Sequence, residues 1–316
     1  MDYLVLPNTD LKVSRLCFGC EPIGGTDWGV VSDNDSIKAI HKALDLGITF
    51  FDTADVYGLG HSEEILAKAL GLYRKKVVIA SKVGMRWHNN LKSGRATIVK
   101  DSSPKYIVKA LEGSLQRLKI DCIPLYQIHW PDNNTSFEDT FETLKKCRQA
   151  GKIHYFGVSN FTLSQLKEVT IDYEIITAQH EYSLLARQCE KDIMPWCHTS
   201  NIGTLAYGVL AQGLLTGKYN QGSLFDVNDR RHRLPNFDSA RLIDNQKVVQ
   251  KLQDLARERG VSPSQVAIRW AIDNPNLSCV IIGAKTSDQV YDNASAFTWK
   301  LSQQERIYLD LPVLSG

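Results

Sequence analysis

The sequence predicts a single α/β domain, a (β/α)8 TIM barrel, and three observations support this prediction. Short β-branched or aromatic runs alternate with amphipathic helical patterns along all 316 residues, and eight of these runs are strand candidates. Runs such as VVIAS and CVII are apolar throughout, which is typical of parallel strands that are buried on both faces. No low-complexity linker or charge block marks a boundary, so residues 1-316 are predicted to form one domain.

The strand candidates follow one another at regular intervals along the chain. They are Arg15 to Gly19, Ile48 to Asp52, Val77 to Lys82, Ile123 to His129, Ile153 to Val158, Ile175 to Gln179, Gly203 to Tyr207 and Cys279 to Gly283. Between them lie helical patterns such as SIKAIHKALDLG, SEEILAKALG, SPKYIVKALEGSLQRL, SFEDTFETLKKCRQAG and TLSQLKEV. Several of these patterns begin with a Ser or Thr cap and end at glycine.

Two segments do not fit the eightfold repeat. The start, LVLPNTDLKVS, predicts a β-hairpin that turns around Pro7 to Asp10 and closes the bottom of the barrel. The segment from Lys218 to about Ser239 is polar and has no hydrophobic period, so it is either a lid or cofactor clasp or a disordered surface insertion. An extra helix is expected at the C-terminus.

Composition narrows the class of protein. The hydrophobic fraction of 43%, the charged fraction of 23% and the net charge of +2 are typical of a soluble globular protein and indicate neither a nucleic-acid nor a membrane partner. The N-terminus lacks the pattern of a signal peptide, so we expect a cytoplasmic protein. Cys17 and Cys20 have CxxC spacing, but no second pair completes a metal site; we expect reduced thiols and no metal.

Four polar residues stand at or just past the ends of successive strands, where a barrel collects its active site. They are Asp52, Tyr57, Lys82 and His129. A carbonyl that accepts a hydride becomes an alkoxide, and Tyr57 can neutralise it if the ammonium of Lys82 lowers the pKa of the phenol. Asp52 would hold the lysine by an ion pair, and His129 would orient the carbonyl oxygen. Taken alone, these residues could be, in the same order, a loop acceptor, a rim aromatic, a surface charge and a core imidazole. Together they predict a reductase.

A hydride donor needs a binding site, and the usual dinucleotide fingerprint is missing. Gly58-Leu59-Gly60 is not followed by the third glycine of that fingerprint. Its absence favours an extended nicotinamide cofactor laid across the mouth of a barrel. The residues that suit its carboxamide and its ring are Ser159, Asn160, Gln179 and Tyr207. A helix cap, a buried polar link and rim packing are the structural alternatives for these residues.

The segment after the eighth strand, IIGAKTSDQVYDNASAF, suits a phosphate. Gly283 permits close approach of the backbone, and a helix that begins near Ser287 presents N–H groups to an anion. Lys285 adds a charge suited to a ribose 2'-phosphate, which favours NADP(H) over NAD(H). An ordinary strand-to-helix turn with a solvated lysine would show the same pattern.

The motifs FFDTADVYG, IASKVG, YQIHWPD, GVSNF, AQHEYSLL, LAYGVLAQGLLTGKY and IIGAKTSDQVYDN occur in an order and at a spacing that resemble the aldo-keto reductases. The resemblance covers essentially the whole chain and is greatest to the short-loop bacterial and plant-type branch that includes the potassium-channel β subunits. It implies the catalytic tetrad named above, with Tyr57 as proton donor. It departs from many relatives at Gly208-Val209, where they have Ser-Pro.

The same resemblance implies a set of cofactor contacts. The pyrophosphate would be lined by Gly208, Val209, Leu210, Ala211, Gln212 and Lys218, and the adenosine phosphate end would be held by Gly283, Lys285, Gln289, Asp292 and Asn293. One arginine among Arg230, Arg231 and Arg233 would cover the adenine, and the resemblance does not choose among them.

The predicted function is NADPH-dependent reduction of an aldehyde or ketone to an alcohol, or the reverse reaction. Two alternatives stay open: an NADPH-binding regulatory or redox-sensing subunit, and a redox-neutral dehydratase or epimerase that uses Tyr57 and Lys82 as acid and base. Trp28, Trp87 and Trp130 are predicted either to wall a substrate pocket or to pack at the rim. The expected partner is a small-molecule carbonyl or alcohol, and no pattern in the sequence indicates an oligomeric state.

Overall fold

The computed structural model describes residues 1–88, 96–226 and 228–310. Its centre is a closed barrel of eight parallel strands in the order β10-β11-β12-β3-β4-β5-β8-β9. The strands are β1 Tyr3–Val5, β2 Lys12–Ser14, β3 Leu16–Gly19, β4 Phe50–Asp52, β5 Val78–Val83, β6 Met85–His88, β7 Thr97–Lys100, β8 Ile123–Ile128, β9 Ile153–Ser159, β10 Thr177–Glu181, β11 Gly203–Tyr207 and β12 Cys279–Gly283.

Helices surround the barrel. They are α1 Asp33–Asp45, α2 His61–Leu70, α3 Pro104–Leu118, α4 Phe137–Gln149, α5 Leu163–Val169, α6 Ile193–Thr199, α7 Ser239–Arg259, α8 Pro263–Ile272, α9 Ser287–Ser295 and α10 Gln303–Asp310. Short 3-10 turns lie at Pro22–Gly24, Tyr57–Gly60, Gly71–Lys75, Gln188–Glu190, Ala211–Thr216, Arg230–Arg233, Pro235–Phe237 and Ala296–Thr298. The predicted (β/α)8 barrel is therefore confirmed, and each predicted strand end lies within two residues of the observed one.

The inside of the barrel is filled from below by the N-terminal hairpin. Strands β1 and β2 pair antiparallel, and Val13 of β2 packs with Leu6 and Leu11 of the turn against side chains that point into the barrel. Phe50 and Leu205 are two of these inward side chains, and both are fully buried. The predicted hairpin is confirmed, and it leaves the opposite end, where the parallel strands finish, as the open mouth.

Several helices begin at polar caps, as the sequence patterns predict. The Ser136 hydroxyl accepts a hydrogen bond from the Asp139 amide ahead of α4, and Thr162 forms a capping box with Gln165 ahead of α5. The expected C-terminal helix is α10, which is fixed to α8 by a hydrogen bond of 2.9 Å from the indole of Trp270 to Asp310. No helix in the described ranges is both long and apolar enough to cross a membrane.

Two features at the mouth go beyond the sequence analysis. Strands β6 and β7, which the sequence analysis did not predict, pair antiparallel as a hairpin directly after β5, with Trp87 opposite Ile98. The described part of the polar segment after Lys218 is folded around the packed rings of Tyr219, Phe225 and Phe237, with centroids 5.2 to 5.9 Å apart. This packing favours the clasp interpretation of the segment over a disordered insertion.

Candidate active site

An ammonium, a carboxylate and a phenol meet at the mouth of the barrel. Asp52 ends β4 and Lys82 lies near the end of the neighbouring β5, and both side chains are almost completely buried. The Lys82 ammonium donates to the Asp52 carboxylate, to the Thr53 carbonyl at 3.0 Å and to the Tyr57 hydroxyl oxygen at 3.1 Å. Because an ammonium has three N–H groups, the lysine is fully satisfied by these contacts. The phenol oxygen accepts from the lysine, so its own proton remains available to another acceptor.

The buried carboxylate has further partners. Asp52 accepts hydrogen bonds through its second oxygen from the side-chain amides of Gln179 at 3.0 Å and Gln127 at 3.3 Å. A buried ion pair is tolerated when such bonds satisfy its remaining lone pairs. Gln127 was missed in the sequence analysis, although it lies two residues before His129 in the predicted strand Ile123 to His129, a spacing that puts both on one face.

Tyr57 is held by a tight contact between two loops. It opens the 3-10 turn Tyr57–Gly60, in which Gly58 has φ of 59°. A Cβ atom at Gly58 would lie 2.1 Å from the carbonyl oxygen of Gly24, which belongs to the loop after β3. Only glycine permits this approach and this backbone conformation together, so the position of the phenol depends on Gly58.

The pKa of Tyr57 differs from the sequence-based expectation, which was a decrease caused by Lys82. Burial raises the pKa of the phenol well above its usual value, Glu21 and Asp52 raise it further, and Arg230 opposes them. The charge of Lys82 is neutralised by Asp52 in the same contact, so burial is the largest effect. The phenol is therefore protonated at neutral pH, which suits a proton donor.

His129 stands beside the phenol as a neutral imidazole. The two rings meet edge to face with centroids 5.6 Å apart and planes at 84°. Burial, and then the charge of Lys82, lower the pKa of His129 well below its usual value. A neutral imidazole has one N–H donor, which can serve a carbonyl oxygen, and its Nδ1 is buried with no partner among the described residues.

The residues predicted to hold a carboxamide form a hydrogen-bonded group next to this centre. Asn160 donates to the His129 carbonyl and to the Ser159 hydroxyl, each at 3.0 Å, and accepts from the Tyr207 hydroxyl at 2.8 Å. Ser159 in turn donates to the Gln179 carbonyl at 3.1 Å. The structure thus brings all four residues together, although the amide nitrogen of Gln179 is directed to Asp52.

A second cluster, here called the positive cluster, lies after β12 and contains Lys285 and Arg231. Lys285 donates from its side chain to the Trp28 carbonyl and from its backbone N–H to the Gln289 side chain at 2.8 Å. Burial and the neighbouring charge of Arg231 lower the pKa of Lys285. Helix α9 begins two residues later behind the cap Thr286. Lys285, close to a helix N-terminus and with Arg231 beside it, fits an anion such as a phosphate, although Asp229 offsets part of the positive charge.

The structure distinguishes the three arginines that the sequence left equivalent. Arg231 is buried, donates to the Gln212 carbonyl at 3.1 Å and lies over the rings of Trp28, Tyr219 and Phe225. Arg231 also pairs with Asp229 at 3.1 Å, whereas Arg230 pairs with Glu21 and Arg233 with Asp27. All three arginines thereby join the clasp to the loop after β3 across the mouth.

The other predicted cofactor residues have different surroundings. Gly208, with φ of 69°, starts a tight turn through Val209, Leu210, Ala211 and Gln212, and Lys218 is exposed. Asp292 accepts hydrogen bonds from Ser262 and Gln265, each at 2.7 Å, so its carboxylate faces α8. A Cβ atom at Gly283 would lie 2.7 Å from the Pro22 ring, and Asn293 lines a small cavity of about 10 Å³ beside β3 and β12.

The three tryptophans separate into two locations. Trp28 lies in the positive cluster beneath Arg230 and Arg231, and its buried indole N–H has no partner among the described residues. Trp87 belongs to the β6–β7 hairpin, and Trp130 follows His129 with the Lys100 ammonium 4.9 Å above its ring. Trp28 therefore belongs to the positive cluster, whereas Trp87 and Trp130 lie on the segments that follow β5 and β8.

Comparisons with known proteins agree with this architecture. Residues 15–310 match the model of the aldo/keto reductase family. The chain is similar to aldo-keto reductase YhdN of Bacillus subtilis, with 37% identity over 97% of this chain and 92% of the relative, and to aldo-keto reductase yakc [NADP(+)] of Schizosaccharomyces pombe, with 32% identity over 92% and 85%. Its fold is similar to that of the glycerol dehydrogenase AKR11B4 from Gluconobacter oxydans, with a TM-score of 0.88 and 37% identity over 98% and 94% of the two chains.

Proposed function

The chain belongs to the aldo/keto reductase family of oxidoreductases, and on this premise we propose that it is an NADP(H)-dependent enzyme that interconverts an aldehyde or ketone with the corresponding alcohol. The observation that carries the proposal is the contact of 3.1 Å between the Lys82 ammonium and the Tyr57 hydroxyl. The nicotinamide, when bound, supplies the hydride or accepts it. The residues of this chain then have to move one proton and orient one oxygen.

Tyr57 is the proposed proton donor. The phenol is protonated at neutral pH because burial raises its pKa, and its oxygen already accepts a hydrogen bond from Lys82. As the phenol gives its proton to a developing alkoxide, the growing negative charge on its oxygen is stabilised by the adjacent ammonium. Asp52 keeps the ammonium in place. The proton returns to Tyr57 by the same contacts when an alcohol is oxidised.

His129 is the proposed orienting donor. Its imidazole is neutral, since burial and the charge of Lys82 lower its pKa. A neutral N–H next to the phenol can bind the same carbonyl oxygen that receives the proton, which fixes the substrate at the reacting position without adding a second charge.

The residues present fit a nicotinamide cofactor with a 2'-phosphate. The hydrogen-bonded group of Ser159, Asn160 and Tyr207 offers donors, acceptors and a ring beside the phenol, and Lys285 with Arg231 suits an anion at the other end of the mouth. A relative bears NADP(+) in its name, which supports the same choice. The remaining proposed contacts, including Gly208 to Gln212, Lys218, Gln289, Asp292 and Asn293, follow from the family resemblance.

The substrate side is proposed to lie between Trp87 and Trp130. A similar structure carries the name glycerol dehydrogenase, which argues for including polyols among the candidate substrates. The test is a panel of aldehydes, ketones, aldoses and polyols assayed by nicotinamide absorbance in both directions, with NADH and NAD⁺ beside NADPH and NADP⁺. We expect carbonyl-dependent loss of NADPH with one alcohol formed per cofactor. Product formation without loss of NADPH would instead indicate redox-neutral chemistry and contradict the proposal.

A further inference from the structure

A third carboxylate lies on the segment that carries Tyr57. Asp55 is located between Asp52 and Tyr57 in the sequence and is only 2% exposed. Its Oδ2 accepts a hydrogen bond of 3.0 Å from the hydroxyl of Tyr106 on α3. Its Oδ1 is buried and has no hydrogen-bond partner in the described part of the chain. A buried carboxylate with an unsatisfied oxygen is costly to ionise, and the proposed proton transfer does not use it.

Tyr106 faces two acceptors with a single proton. Its hydroxyl lies 3.0 Å from the Asp55 carboxylate and 3.3 Å from the carbonyl oxygen of Met85, which is the first residue of the β6–β7 hairpin. A phenol donates one hydrogen bond, so only one of these acceptors is served at a time. Tyr106 therefore stands between the segment of Tyr57 and the hairpin.

Among the residues that the structure describes, no cation forms an ion pair with Asp55. Arg117 of α3 donates to Glu63 of α2 at 2.7 Å, and Glu63 also accepts from the Ser81 hydroxyl at 2.6 Å. The remaining titratable groups that act on Asp55 or on its partner Tyr106 are Tyr126 of β8, Arg86 of β6 and Asp101 after β7. The hydroxyl of Tyr126 is likewise buried without a partner among the described residues.

In these surroundings Asp55 can take up a proton near neutral pH. Burial raises the pKa of Asp55 to about 7, and the charge of Glu63 raises it as well, against the hydrogen bond from Tyr106, the charge of Arg117 and the backbone N–H of Val56. Both protonation states are thus populated under ordinary assay conditions. The geometry offers each state its own hydrogen-bond arrangement.

We propose that Asp55 is a positioning residue whose proton decides which acceptor Tyr106 serves, and that it thereby couples the segment of Tyr57 to the β6–β7 hairpin. When Asp55 is ionised, Tyr106 donates to its carboxylate, and the Met85 carbonyl loses this donor. When Asp55 takes a proton from solvent, the carboxylic acid donates to the Tyr106 oxygen, and Tyr106 donates to Met85. The continuous chain from Asp55 through Tyr106 to Met85 therefore exists only in the neutral state.

A hydrogen-bond coupling to the β6–β7 hairpin can affect residues near the active site. It carries Trp87, and Lys100 at its other end lies over Trp130, next to His129. The catalytic consequence, a change in how the carbonyl substrate binds, rests on the proposed function. The structural consequence does not, because hydrogen bonding of the hairpin can be observed without cofactor or substrate.

The test is amide hydrogen exchange of the free protein at about pH 6 and about pH 8, corrected for intrinsic rates, on either side of the Asp55 pKa of about 7. We expect the amides of β6 and β7 to exchange about fivefold more slowly at the lower pH. This factor corresponds to the stabilisation that one neutral hydrogen bond contributes. Asp55→Asn, whose amide donates as the acid does, should stay protected at both pH values. Tyr106→Phe should be equally unprotected at both. The control is Asp121→Asn, which removes an exposed carboxylate from the loop after α3. This variant should behave as the unsubstituted protein does.

The outcomes separate this inference from the proposed function. Exchange that is independent of pH in the unsubstituted protein, or pH dependence that persists in Tyr106→Phe, would overturn the coupling even if the enzyme reduces carbonyls. Exchange that behaves as expected supports the coupling even if the carbonyl panel shows no turnover. Where turnover is found, Tyr106→Phe should raise KM for the carbonyl with little change in kcat or in NADPH affinity, and the pH dependence of KM should disappear in Asp55→Asn.

Discussion

The Lys82 ammonium lies 3.1 Å from the Tyr57 hydroxyl, although 25 residues separate the two in the sequence. The barrel makes this contact, because β4 and β5 are neighbours and deliver the loop after one strand and the end of the other to the same mouth. The direction of the hydrogen bond is informative. Lysine can only donate, so the phenol accepts from it and keeps its own proton for the substrate.

Tyr57→Phe tests the proton donor directly. Removing the hydroxyl should lower turnover of a carbonyl substrate by about 100-fold or more, because the alkoxide loses its proton source, while NADPH affinity changes little. The measurements are steady-state turnover and a fluorescence titration with NADPH. Tyr73→Phe, at an exposed ring, is the matched control. Turnover near normal in Tyr57→Phe would show that another group supplies the proton.

The Asp52–Lys82 pair should show strong energetic coupling. Asp52→Asn leaves a fully buried ammonium without its counter-charge, which should lower the free energy of unfolding by about 3–5 kcal/mol. Adding Lys82→Met removes the stranded charge, so the double variant should recover at least about 1 kcal/mol relative to Asp52→Asn. Urea unfolding of the two single variants and the double variant measures this. Effects that simply add would mean that the two side chains do not depend on each other.

Much of this architecture follows from the sequence because periodicity and strand ends are local signals. The eight strands, the N-terminal hairpin and the meeting of Asp52, Tyr57 and Lys82 could all be predicted from such signals. The β6–β7 hairpin was missed because its residues alternate weakly and are half-exposed or exposed, as at Arg86.

Electrostatic detail was harder to predict from the sequence. The direction of the Tyr57 pKa was wrong because it depends on burial and on Glu21 and Arg230, which approach the phenol from distant segments. Gln127 was overlooked because a glutamine inside a strand suggests no particular chemistry until its partner Asp52 is known. The three arginines of the clasp could be told apart only by their partners in space.

Lys285→Met should change cofactor preference. The loss of one charged partner of the 2'-phosphate should weaken NADPH binding about tenfold or more, while NADH, which has no such phosphate, is bound as before. Dissociation constants for both cofactors, measured by fluorescence titration, give the ratio. Lys109→Met removes an exposed lysine of α3 and is the control for net charge. An equal loss for both cofactors would place Lys285 away from the 2'-phosphate.

A buried histidine outside the active centre should make the protein sensitive to acid. His180 follows Gln179 on β10 and is 7% exposed, and its Nε2 is buried without a partner among the described residues. Burial lowers the pKa of His180 to about 4, against the opposing charge of Asp192. The unfolded chain therefore takes up this proton near pH 6.5, whereas the folded protein resists it until about pH 4.

The sign of the effect follows from this difference. Because the unfolded state binds more protons in that window, stability falls as the pH decreases from about 6.5 towards 4. Between about pH 7 and pH 4.5 the contribution of His180 amounts to about 2 kcal/mol. His180→Leu cannot titrate, so its free energy of unfolding should fall by about 2 kcal/mol less over the same range, whatever its absolute stability. Urea unfolding at the two pH values checks this, with the exposed His154→Leu as control. Parallel losses in His180→Leu and the unsubstituted protein would assign the acid sensitivity to other groups, of which the half-buried His129 is the first candidate.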